Sequence, residues 1–153
     1  MWQGRLRHIH TAPQGRAPMQ ALDRVRAIAG FGLDGDRYAT GRGHYSEFPD
    51  VREVTLIEVE TLIALARDHG TTLEPFEHRR NLTVEGLPLN HLVGRRFHVG
   101  PVLLEGGRLN TPCRYLDLLT GKIVCDLLTH RSGLNCRIIE GGEIRIGDAV
   151  HPA

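Results

Sequence analysis

Short apolar runs broken by glycine dominate this chain and confine it to folds built from many short strands. Glycine occupies 18 of its 153 positions. Between the glycines lie Arg5 to Thr11, Val54 to Ile57, Leu82 to Val84, Phe97 to Leu104, Asn135 to Glu140 and Glu143 to Ile146. Each is of strand length and bounded by turn residues. Alternation near Ala21 to Val25 suggests another strand, and a last short one follows Gly147-Asp148. Gly106-Gly107 and Gly141-Gly142 are read as hairpin turns, and Gly100-Pro101 as an interruption. Only Glu58 to His69 has a sustained helical period. Val59, Leu62, Ile63 and Ala66 fall on one face there, and Gly70 can end the helix. Glu74 to His78 predicts a helical turn. Arg114 to Leu119 and Ile123 to His130 predict two short helices. The sum predicts a mainly β fold, a closed or half-closed β-barrel with a few short helices, as a single domain over residues 1–153.

Composition narrows the function. The formal net charge of +1 leaves no electrostatic footprint for nucleic acid. No apolar run is long enough to cross a membrane, and Met1 to Arg5 carries no apolar signal region, which predicts a cytoplasmic protein. Three cysteines (Cys113, Cys125 and Cys136) without a CxxC pair argue against a disulfide framework or a zinc knuckle. Lys122 is the only lysine, so nearly all basic side chains are forked guanidiniums suited to oxyanions.

The chemistry is expected at Cys113. In Asn110-Thr111-Pro112-Cys113-Arg114 a thiol follows a proline and precedes an arginine. Thr111 is expected to cap a helix with Pro112 in its first position. A helix start beside a cation favours thiolate, the nucleophilic and metal-binding form. Arg79-Arg80-Asn81 offers two guanidiniums and an amide to a phosphate or a heteroatom-rich ring. In the glycine-dense loop Gly30 to Arg37, Asp36 can tie the backbone and Arg37 can reach a ligand. His44, in the polar stretch that follows, is a candidate pocket residue. His8-Ile9-His10 puts two imidazoles on one strand face, without a third ligand at a telling spacing. Cys125 and Cys136 read as structural. No GxGxxG, Walker, GxSxG or HExxH run is present.

In order and spacing these runs resemble the MOSC domain, the C-terminal domain of molybdenum-cofactor sulfurases, and most of all its small stand-alone bacterial members. The likeness covers Gly32 to Arg37, Val54 to Ala66, Arg79-Arg80-Asn81-Leu82, Gly94 to Gly100, Pro112-Cys113 and Arg131 to Asp148. The resemblance implies a barrel-like fold binding the molybdenum cofactor, a pterin dithiolene bearing a phosphate. It implies that Cys113 carries sulfane sulfur as a persulfide, or ligates molybdenum as in the amidoxime-reducing relatives. It maps the Arg-x-Asn run, which helps hold the cofactor, onto Arg79 and Asn81. Arg80 stands where proline is common in the reductase branch. Together with the residue reading this gives a cofactor site of Arg79, Arg80, Asn81, Arg37 and His44 around Cys113. Two roles follow: a sulfur carrier or molybdenum-dependent reductase of N-hydroxylated compounds with a separate electron-transfer partner, or a non-catalytic persulfide relay docking on a cysteine desulfurase. The PLP-dependent domain of full sulfurases has no counterpart here, so PLP is not expected.

Overall fold

The computed structural model describes residues 1–153. In chain order the strands are β1 (Gly4–Thr11), β2 (Gln20–Leu22), β3 (Arg24–Ile28), β4 (Gly32–Leu33), β5 (Val54–Glu58), β6 (Leu82–Glu85), β7 (Arg96–Val99), β8 (Val102–Leu109), β9 (Leu134–Glu140), β10 (Gly142–Arg145) and β11 (Ala149–Pro152). Three α-helices accompany them: α1 (Arg37–Thr40), α2 (Val59–His69) and α3 (Arg114–Thr120). The main sheet runs β11-β7-β8-β9-β5-β6-β1-β2, and β11 also pairs with β1 through Gly4↔Val150. That extra pairing closes seven strands into a barrel, with β2 appended outside. Closure leaves the barrel strands no free edge. β5 and β6 are the parallel pair. Parallel neighbours need a crossover, and α2 supplies it.

Alternation along the strands fills the barrel. Leu6 and Ile9 of β1, Leu56 of β5, Leu82 and Val84 of β6, Phe97 of β7, Leu104 of β8 and Leu134 of β9 are buried in one core of 21 residues. Burying each large side chain is worth about 1.5–3 kcal/mol. A second cluster of six residues lies under the helices: Ile57, Leu65, Leu73, Leu116, Val124 and Leu128. It anchors α3 to the barrel, and α3 carries Cys113 at its start.

A separate three-stranded sheet, β10-β3-β4, corrects one turn assignment. Gly141-Gly142 is not a hairpin, because β10 leaves β9 and pairs with β3 instead. Gly106-Gly107 is not a turn either. Both glycines lie inside β8, which changes register against β9 there. A Cβ on Gly106 would sit 2.0 Å from the Leu92 carbonyl oxygen. Glycine at that point permits a backbone approach rather than a reversal. The turn is Gly100-Pro101, where Val99 faces Val102.

The helices differ in detail from the expectation. α2 is where the periodicity places it, and Gly70 ends it in the left-handed region at φ 63°. Its inward face is Thr61 and Leu65, however, while Ile63 is exposed. The second cluster takes Leu65 and, half-buried, Leu62, so only part of the expected apolar face packs inward. Ile123 to His130 forms only a 3-10 turn at Asp126–Leu128. Glu74 to His78 is a turn.

Candidate functional site

Cys113 itself is the N-cap of α3, not Thr111 with Pro112 at the first position. Its φ and ψ are extended, and its Sγ accepts the Tyr115 N–H at 3.4 Å. The helix therefore starts two residues later than the proline signal predicts, and it turns the sulfur towards a cavity of about 420 Å³. That volume lies in the usual range for a small-molecule site. The Tyr45 hydroxyl is hydrogen-bonded to Cys113 Sγ. Burial, with that hydrogen bond, pushes the Tyr45 phenol up to about 12, so it keeps its proton at neutral pH.

Five guanidiniums line the cavity: Arg37, Arg52, Arg79, Arg80 and Arg108. Three of them are spoken for. Arg37 Nη1 pairs with the fully buried Asp36 at 3.0 Å, and Arg37 Nη2 donates to the Arg79 carbonyl at 2.9 Å. Arg108 holds Asp50 with two nitrogens, and Arg52 approaches the same carboxylate at 3.3 Å. The hydrogen bonds from Arg108 hold the Asp50 carboxyl well below the usual carboxylate range.

Arg79 and Arg80 have no carboxylate partner. Arg80 donates only to neutral acceptors: the Ser132 carbonyl at 3.0 Å, the His78 carbonyl at 2.5 Å, Asn110 Oδ1 at 2.7 Å and Ser132 Oγ at 2.5 Å. Burial pulls it down to about 10. Arg79 Nη1 donates to the Ala17 carbonyl at 2.6 Å, while Arg79 Nη2 is buried with no partner. Arg79 also adopts φ 67°, a left-handed conformation that costs a non-glycine residue about 1–3 kcal/mol. Burial lowers its pKa as well. A buried cation and a half-buried one, neither of them compensated, are costly unless an anion joins them.

The wall opposite is aromatic. All three tyrosines of the chain, Tyr38, Tyr45 and Tyr115, line the cavity. His44, also on this wall, stacks on Tyr115 with ring centroids 3.9 Å apart and planes 9° from parallel. The Tyr115 hydroxyl is the second buried cavity group without a hydrogen-bond partner.

The structure thus brings Cys113, Arg37, Arg79, Arg80 and His44 to one cavity. Asn81 is not on its wall. It is completely buried behind it, where its Oδ1 accepts the Thr55 N–H and hydroxyl at 3.1 and 3.2 Å and its Nδ2 donates to the His10 carbonyl at 3.2 Å. Its amide ties β6 to β5 and β1 and cannot face a ligand at the same time. Asp36 acts as the loop tie expected of it, accepting the Ala12 N–H at 3.1 Å and the Tyr38 N–H at 3.3 Å. Cys136 is buried in β9, and burial pushes its thiol up. Cys125 is half-buried before the 3-10 turn. Neither lines the cavity. Sequence reasoning missed Tyr45, Tyr115, Asn110 and the Asp50–Arg108 pair. Asn110 lies in the Cys113 run itself, and Tyr45 follows His44. Asp50 and Arg108 are 58 residues apart and carry no local signal.

A closed β-barrel with an arginine-lined cavity, two guanidiniums without a carboxylate and one thiol at its wall defines the class of this small protein. The sequence matches the MOSC domain over residues 43–151, well over half its length, and the chain belongs to that family. The fold is similar to the YuaD protein of Bacillus subtilis, at 18% identity and a TM-score of 0.81, with all of each chain covered. It is also similar to YiiM of Geobacillus stearothermophilus, at 14% identity and a TM-score of 0.76, covering 98% of this chain and 75% of that one. YiiM of Escherichia coli gives 18% and 0.70, covering 97% and 69%. No curated protein matches the sequence. The MOSC family is generally linked with the molybdenum cofactor. No helix is long and apolar enough to span a membrane.

Proposed function

We propose that this protein binds the molybdenum cofactor in the arginine-lined cavity, with Cys113 as the sulfur that ligates molybdenum or carries sulfane sulfur. The observation that carries the reading is a pair of guanidiniums without a carboxylate, Arg80 buried and Arg79 half-buried. The residues fit the group. A pterin phosphate supplies the missing negative charge, and the partnerless Arg79 Nη2 and Tyr115 hydroxyl are free to bond a heteroatom-rich ligand. Arg79 and Arg80 would hold the anionic part, with Arg37 and His44 completing the wall. Asn81 would act from behind, by fixing the segment just before β6 that carries both arginines. When bound, the cofactor supplies redox chemistry at a metal centre, which would serve reduction of N-hydroxylated compounds with a separate electron donor. Tyr45 fixes the direction of Cys113 Sγ, and the Asp50–Arg52 pair steadies Tyr45 through its carbonyl.

The test is purification from a host that makes the cofactor, followed by measurement of molybdenum and released pterin per chain. Near-stoichiometric metal, lost in Cys113→Ala, is the expected result. Pterin retained with unchanged metal in that variant would make Cys113 a sulfur carrier beside the cofactor. Absence of both metal and pterin in the wild type would overturn the reading.

The partial exposure of Cys113 favours a second role, a persulfide relay that docks on a cysteine desulfurase. There the Cys113 thiolate attacks the donor's terminal sulfur. The donor's sulfur–sulfur bond breaks as the new one forms, and the donor leaves as its thiolate. An added sulfur mass on the Cys113 peptide, after incubation with a desulfurase and cysteine, tests it.

A further inference from the structure

The histidine pair of β1 is not used by the cavity described above, and it opens onto a cleft of its own. That cleft, about 270 Å³, shares no lining residue with the arginine-lined cavity. His8 and His10 alternate to one side of β1, just past a register shift between Leu6 and His8 against β6. Their rings lie 6.3 Å apart. Leu22 and Asp23 form one wall, fixed by the pairing Ile9↔Leu22 and by the Ile146 N–H donating to the Asp23 carbonyl at 3.0 Å. Ile146 and Phe76, 45% and 56% exposed, form the apolar rim.

We infer that this cleft is a second ligand site, for a small aromatic ring bearing a protonated amine. Three observations carry it. First, His10 is only 5% exposed, lines the cleft, and its Nδ1 is buried with no hydrogen-bond partner. A buried polar atom left unpaired costs about 1–3 kcal/mol, and a ligand heteroatom relieves it. Second, the charges at the cleft select a cation. No arginine or lysine lines it, and Asp23 forms no ion pair within the chain. An anion finds no counter-charge there, whereas an ammonium finds the Asp23 carboxylate and the Phe76 ring face. Third, Phe76, Ile146 and Leu22 offer apolar surface to a ring, and a 270 Å³ cleft admits one ring with a short arm. A metal is not the ligand this geometry favours, because no group of three metal-ligating side chains forms anywhere in the chain. Burial lowers the pKa of His10, which favours its neutral form beside a bound ammonium.

The experiment is an NMR titration of the full chain with phenethylamine, beside a parallel titration with phenylacetate. The expected result is saturable shifts at the amides of Ile9, His10 and Asp23 with phenethylamine and none with phenylacetate. Asp23→Asn and Phe76→Ala, both at exposed positions that leave the core intact, should each weaken binding about tenfold. The native amide spectrum of each variant checks its fold, and the two together keep the test decisive if one fails. Equal binding of phenylacetate, unchanged affinity in both variants, or no saturable shift at millimolar phenethylamine would overturn the proposal.

Discussion

Arg79 concentrates the conflict between stability and function in a single residue. Its backbone is held in a left-handed conformation, its side chain is half-buried, and one guanidinium nitrogen lacks a partner. None of this helps the protein fold. Arg79→Gly should therefore leave stability unchanged or raise it by about 1 kcal/mol, read as the urea midpoint, while the molybdenum and pterin content falls sharply. A large loss of stability would show that the Ala17 hydrogen bond outweighs the strain. Asn81 is the opposite case. Its amide is fully buried and fully bonded, so Asn81→Ala leaves the Thr55 N–H and the His10 carbonyl unsatisfied. We expect a loss of about 2–4 kcal/mol by the same measurement. Any loss of cofactor in that variant would then follow from movement of β6 rather than from a missing ligand contact.

The start of α3 shows how an element decides the aim of a side chain. Cys113 caps the helix through Sγ, and serine is a better cap than most residues. Cys113→Ser should melt within a few degrees of the wild type, a change of at most about 1 kcal/mol, and still lose metal or sulfur loading. Normal loading in that variant would remove Cys113 from the chemistry. At β8 the constraint is steric. Gly106→Ala drives a methyl into the Leu92 carbonyl, where a backbone atom must move. A loss of more than about 3 kcal/mol, or failure to fold, is expected on denaturant titration.

For the molecule as a whole, acid is the telling variable. His78 is completely buried. Its Nδ1 accepts the Arg80 N–H at 2.9 Å, and its Nε2 faces the Thr83 hydroxyl at 2.8 Å. Burial, and the nearby Arg80 cation, push it well below the ordinary histidine value, and burial lowers His10 as well. The unfolded chain takes up protons near pH 6.5 that the folded chain refuses. Stability therefore falls as pH drops below about 6.5 and is fully restored above it. Urea midpoints measured from pH 8 to pH 5 should decline in this window. In His78→Gln the decline should be shallower, since one of the two resisting groups is gone.

Much of this protein is legible locally. The strand runs, the α2 helix with its Gly70 end and the Asp36 loop tie are all readable in order along the chain, because each depends on neighbours a few residues away. The order and spacing of those runs also carry the likeness to the MOSC domain. Partner choice was not readable. Gly141-Gly142 has the composition of a hairpin, yet β10 pairs with β3 more than a hundred residues earlier in the chain, and only barrel closure settles that. The inward stripe of α2 was decided by the cluster around Leu65, which takes Leu62 of the apolar face and leaves Ile63 outside. Asn81 reads as a ligand-binding amide beside two arginines. Standing just before β6, it is instead buried in the barrel wall, where Thr55 and His10 occupy it. Asp50 and Arg108 meet only when the loop before β5 folds over β8. Local sequence sets which conformations and chemistries are available. Burial and long-range pairing decide which of them faces the cavity.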